Sequence, residues 1–126
     1  MSVQLLDHEL ERLEDLWDDG LSDAYDAYLE AVTGYEPAAQ PGLAFAAALV
    51  EVGIRLQGLG GRAAAPPKLL MGDLCLARSA RLLADAAPRT VQIAFARAIE
   101  DLSAAAASGR SGPAIRELLL HAFEAG

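Results

Sequence analysis

Asp18 and Asp19 are the only adjacent aspartates in the chain. Paired carboxylates one turn apart on a helix are the means by which a helical enzyme holds magnesium against a diphosphate. Here they stand in DDGLSD, just before Gly20, at what reads as a helix C-terminus, where the helix dipole disfavours acids. The DDxxD spacing is absent, so the pair reads as an exposed turn. His8 and His121 lie at opposite ends of the sequence, with no cysteine or second histidine at ligand spacing, and neither founds a metal site. Cys75 and Ser79 could act as nucleophiles only beside a base, and no elbow or glycine motif marks them. Cys75 reads instead as a small buried hydrophobe. GLGGR, residues 58–62, is preceded by no strand and lacks the spacing of a phosphate-binding loop.

One carboxylate stands in an unexpected setting. In KLLMGDLCLARSARLLAD, residues 68–85, helical spacing puts Leu69, Asp73, Leu76, Ala80 and Leu83 on one stripe, which assigns Asp73 to the buried side. No basic residue lies three or four positions from it, so its partner is expected from another helix, another chain or a ligand. Gly72 costs a helix about 1 kcal/mol relative to alanine, which points to something approaching closely there.

The elements that would carry these residues are helical. Alanine and leucine dominate the apolar content of 53%, and aromatic residues make up 6%, a balance that favours helix over sheet. Val3, Leu6, Leu10, Leu13 and Trp17 form one face of a helix over residues 2–19, with Ser2 as its cap. Gly20 breaks it, and Ser22 is placed to cap a short helix through Tyr25, Leu29 and Val32 that ends at Gly34. YEPAAQPG, 35–42, reads as a loop. The nearly apolar run 43–61 carries only Glu51 and Arg55 as charges, and their separation of four suits one exposed edge of a mostly buried helix. After a second loop at 58–68, Pro66 or Pro67 opens the helix of Asp73, whose Arg78, Arg81 and Asp85 face solvent. Pro88 or Arg89 opens the next, with Val91, Phe95, Ala98, Leu102 and Ala105 inward and Arg97, Glu100 and Asp101 outward. GRSGP resets the chain before a last helix bearing Ile115, Leu118, Leu119, Ala122 and Phe123.

The sum is one all-α domain over residues 1–126, an antiparallel bundle of about six helices. Small residues recur on the later helices (Gly72, Ala77, Ser79, Ala80, Ala84, Ala94, Ala98, Ala105), and their apolar surface exceeds what a small bundle hides, so a shared interface is expected. Residues 1–36 hold eleven acids against Arg12, a net of −10, while the rest nets +2, giving −8. An acidic front without a basic cluster argues against nucleic acid and anionic membranes. That front is either a solvated face or a docking surface for a basic partner. No run of about 18 apolar residues occurs and the N-terminus is acidic, so a soluble, cytoplasmic protein without a transmembrane segment is expected. A lone cysteine excludes an intrachain disulfide.

Residues 68–109, KLLMGDLCLARSARLLADAAPRTVQIAFARAIEDLSAAAASG, resemble the segment of trans-type polyprenyl diphosphate synthases that reads loosely vLAGDyLLArafeLLA, a short break, then iaeAIxeLaxG. Leu70-Met71-Gly72-Asp73, Ala77, Leu82-Leu83-Ala84 and Ala98-Ile99-Glu100-Asp101-Leu102 fill the matching places, over a third of the chain. Active members carry DDxxD before this segment and a second aspartate-rich motif after it; here Glu51 is the only acid of the preceding helix, and neither motif is present. The chain is similar to the noncatalytic small subunit of heterodimeric hexaprenyl- and heptaprenyl-type synthases. The resemblance implies no catalysis and no cofactor of its own, magnesium bound by a catalytic large subunit with aspartate-rich motifs, and an influence on product length. It further implies that the two helices over 68–87 and 89–108 lie at the subunit interface, through Leu69, Gly72, Asp73, Leu76, Ala80, Leu83, Val91, Phe95, Ala98 and Leu102. Asp73 would bond across helices and Gly72 admit a neighbouring backbone. A homodimer remains open, as does a homo-oligomeric helical module that binds an apolar ligand or partner helix.

Overall fold

The computed structural model describes residues 20–56, 66–107 and 115–125. The expected helix over 2–19, with Asp18, Asp19 and His8, and the GLGGR and GRSGP loops lie outside the described residues. Those described form five helices and no strand: α1 (Ser22–Ala31), α2 (Gln40–Leu56), α3 (Pro66–Ala86), α4 (Arg89–Ala107) and α5 (Ile115–Phe123). The all-α expectation holds. No helix among the described residues is long and apolar enough to cross a membrane.

Gly20 turns the chain at φ +115°, a conformation that costs glycine little and other residues more. Leu21 then already has helical dihedrals and is buried, so helical geometry begins one residue before Ser22. Ser22 is therefore inside the first turn rather than its cap, and no side-chain cap bond is made. The segment read as a loop over 35–42 is also corrected. α2 starts at Gln40, with Pro41 in its first turn, where a fixed φ and a missing N–H are tolerated. Gln40 ties this start to the end of α1, its side-chain amide donating to the carbonyls of Tyr35 at 2.8 Å and Thr33 at 3.2 Å. Pro66 opens α3 and Arg89 opens α4, as the prolines suggest. The Pro88 carbonyl accepts from the N–H groups of Val91 and Gln92, both at 3.1 Å.

α2 is the central element. Leu43, Ala44 and every residue from Ala46 to Ile54 are buried, so it is enclosed on all sides. A helix apolar all round has no solvent face to offer. α1 and α3 pack along it, α5 touches α1 and α2, and α4 packs on α5. Val91, Phe95, Ala98, Leu102 and Ala105 are all buried along α4, and Arg97, Glu100 and Asp101 are exposed, as their spacing requires.

The inward stripe of α3 is not the expected one. Met71, Cys75, Ser79 and Leu83, every fourth residue, are buried together with Gly72, whereas Asp73 and Ala80 are exposed and Leu76 is half-buried. The cause is where α2 meets α3. A methyl on Gly53 would stand 3.1 Å from both the Gly72 carbonyl oxygen and Cys75 Cβ, and 3.3 Å from Leu76 Cγ. The small residues, not the leucines, mark the contact. Ser79 can be buried on it because its hydroxyl donates to the Leu76 carbonyl of its own helix at 2.7 Å.

Gly53→Val inserts three carbon atoms where rigid backbone and Cβ atoms leave no room. It should lower unfolding free energy by about 2–3 kcal/mol in urea melts, against ~1 kcal/mol that leaving glycine would return to the helix.

Candidate functional site

The polar centre of the molecule is built on Glu51, whose side chain is fully buried. Three helices meet there. From α1, the Tyr28 hydroxyl donates to Glu51 Oε1 at 2.9 Å. From α5, Arg116 Nε donates to Oε1 at 3.0 Å and Nη2 to Oε2 at 2.9 Å, a two-pronged guanidinium–carboxylate fork. Arg55, one turn along α2, places Nη2 3.4 Å from Oε2. Arg116 also reaches Asp23 Oδ2 on α1 at 3.1 Å, at the solvent edge of the cluster.

Burial alone would raise the Glu51 carboxyl, but the hydrogen bonds from Arg116 and Tyr28 and the charge of Arg55 outweigh it and hold the group below the usual carboxylate range. Tyr28 is pushed far above the ordinary phenol range by burial and by the adjoining carboxylate. Arg116 is held charged, chiefly by its bonds to Glu51 and against the opposing effect of burial. Among the described residues no buried side-chain polar atom is left without a partner. A carboxylate that is ionised, enclosed and bonded on both oxygens is no poised general base. The arrangement fixes helices.

This corrects the exposed edge read for Glu51 and Arg55: Arg55 is exposed but Glu51 is not. Tyr28 and Arg116 escaped notice because their partner lies 23 and 65 residues away along the chain. The available signal was Glu51 itself, flanked by Leu49, Val50, Val52 and Gly53 in a stretch with no polar neighbour.

An aromatic cluster lies beside the network. Phe123 sets its ring edge-on to Phe95, Tyr35 and Tyr28, with centroids 5.0, 6.0 and 6.3 Å apart. The Tyr35 hydroxyl donates to the Phe123 carbonyl, so the end of α5 is bonded to the turn between α1 and α2.

The residues assigned to a subunit interface divide. Leu83, Val91, Phe95, Ala98 and Leu102 lie in the chain's own core, and Gly72 is buried where α2 comes close. Asp73 and Ala80 are exposed, so the assignment of Asp73 to the buried side is corrected; the Leu69 side chain is outside the described set. The close approach of α2 to α3 is made at Gly53, whose missing side chain leaves room for the Gly72 carbonyl oxygen. A different row faces outward: Leu70, Asp73, Ala77, Ala80 and Ala84 at helical spacing, with Leu70 56% exposed, and Ile93 on α4 45% exposed. Cys75 is buried, its thiol pushed up by burial to about 11. His121 is exposed and its Nδ1 lies 2.9 Å from Glu124 Oε2. Among the described residues no three His, Cys, Asp or Glu side chains gather to hold a metal.

No family model matches this chain, and no match to it is found among curated proteins or solved structures.

Three outcomes follow from the network and from the buried thiol. Because the Glu51 carboxyl is lowered in the folded state, its stabilisation is complete above the unfolded value of about 4.3 and fades as pH falls through the lower folded value. Wild-type melting temperatures should therefore fall off below about pH 4, and Glu51→Gln should be less stable by about 2–4 kcal/mol at pH 7 with a shallower acid limb. Cys75 should react with a thiol reagent at least about a hundredfold more slowly in native buffer than in denaturant, since both burial and protonation protect it.

Proposed function

We propose that this chain is a noncatalytic small subunit of a heteromeric trans-prenyl diphosphate synthase, working in the cytoplasm. A separate large subunit bearing aspartate-rich motifs would bind magnesium and carry out isoprenoid elongation, while this chain influences product length. The observation that carries the reading is the outward row of α3. Leu70, Ala77, Ala80 and Ala84 are all exposed on the helix that holds Gly72-Asp73, the most distinctive part of the resemblance. Small side chains let a partner helix approach closely, and Leu70 offers an apolar anchor at one end. Asp73 stands within that row, where it meets solvent or a partner rather than the core. The all-helical architecture, with Gly72 buried at the approach of α2, is compatible with the bundle the resemblance implies.

Co-expression with a large synthase subunit tests the reading. The two chains should co-purify, and elongation should need both. Leu70→Glu, which changes an already exposed side chain, should leave melting unaltered while weakening association about tenfold or more. Full-length product from the large chain alone would sink the proposal; a stable homodimer holding an apolar ligand and indifferent to any synthase would favour the binding-module reading.

A further inference from the structure

We infer that α4 and α5 form a detachable pair, undocking together from a persistent core of α1, α2 and α3 as Glu51 gives up Arg116 and keeps Arg55. This goes beyond the proposed function and does not depend on it. Backbone packing sets the boundary. Among the described residues α2 packs extensively on α1 and α3, whereas the backbone of α4 runs close to α5, touches α3 lightly, and approaches neither α1 nor α2. Among the described residues the polar and aromatic contacts from the pair to the core are made by α5: the Arg116 fork on Glu51, its bond to Asp23, the Tyr35 hydroxyl on the Phe123 carbonyl, and the Phe123 ring against Tyr28 and Tyr35.

At nine residues α5 is too short to persist as a helix by itself, so it is ordered only while docked. The inward residues Val91, Phe95 and Leu102 of α4 belong to the one core cluster that spans all five helices, but among the described residues the backbone of α4 runs close mainly to α5. Losing α5 therefore uncovers α4, and the two elements open as one unit. The core tolerates the loss because of Arg55. When Arg116 leaves, Glu51 keeps the Tyr28 hydroxyl and still has the Arg55 guanidinium 3.4 Å away, on its own helix and 56% exposed. A buried charge with no second partner would forbid such an opening. This one has a partner waiting in each state.

Native-state hydrogen exchange of the full chain, followed by mass spectrometry across low guanidinium concentrations, tests the inference. Amides of α4 and α5 should exchange through one shared opening, before those of α2 and α3. Arg116→Met should speed exchange in both α4 and α5 about tenfold or more and leave α2 and α3 unchanged. Arg55→Met should slow that shared opening, because the opened state loses its reserve partner. The wild-type measurement needs no variant to fold. Protection of α4 equal to that of α2, acceleration of α5 alone, or a single global opening for all five helices would each overturn the proposal.

Discussion

The structure depends on keeping one carboxylate ionised where water does not reach it. Removing a charge from water costs several kcal/mol, and Glu51 recovers this only because three hydrogen bonds converge on it from two other helices, one from Tyr28 and two from Arg116. The requirement works in both directions. α1 must present Tyr28 and α5 must present Arg116 at hydrogen-bond distance, so the rotations of two helices about a third are set by one side chain. An apolar core alone would tolerate sliding, since leucine and alanine faces fit one another in several registers. The fork has a single geometry, and it turns an apolar packing problem into one with one solution.

Around that centre, size matters more than hydrophobicity. α2 and α3 come together at Gly53, Gly72 and Cys75, and the approach decides which face of α3 turns inward. Of the leucines of α3 only Leu83 is buried among those described, with Leu74, Leu76 and Leu82 half-buried and Leu70 exposed. That arrangement is why an apolar row with small side chains is left on the outside of a small helical protein. The same geometry places Asp73 on the exposed side of α3.

Element type and most of the inward stripes were legible in the sequence, because periodicity reports burial directly when a helix packs by large side chains. Val91, Phe95, Ala98, Leu102 and Ala105 illustrate it, as does the Ile115–Phe123 helix. α3 was misread because its closest approach to α2 falls at Gly72 and Cys75, which a count of leucines ranks low. The Gln40 start was hidden by Pro41, whose role in a first turn looks in sequence like a loop. Glu51 was assigned outward since Arg55 at four residues is a sufficient local partner. Arg55 is indeed a partner, but the hydrogen-bonded fork comes from a different helix, and no local rule reaches 65 residues ahead.

That separation has a consequence for biosynthesis. A ribosome adding about 5–20 residues per second needs several seconds to go from Glu51 to Arg116, and during that interval α2 has emerged without its ionic mate. Tyr28 and Arg55 are already made and can shelter the acid provisionally, while the apolar sides of α2 must rely on α1 and then α3. The final closure is thus a late event, performed by the segment that leaves the exit tunnel after all the others described. Until then the nascent protein carries an incomplete ionic centre and an uncovered apolar surface.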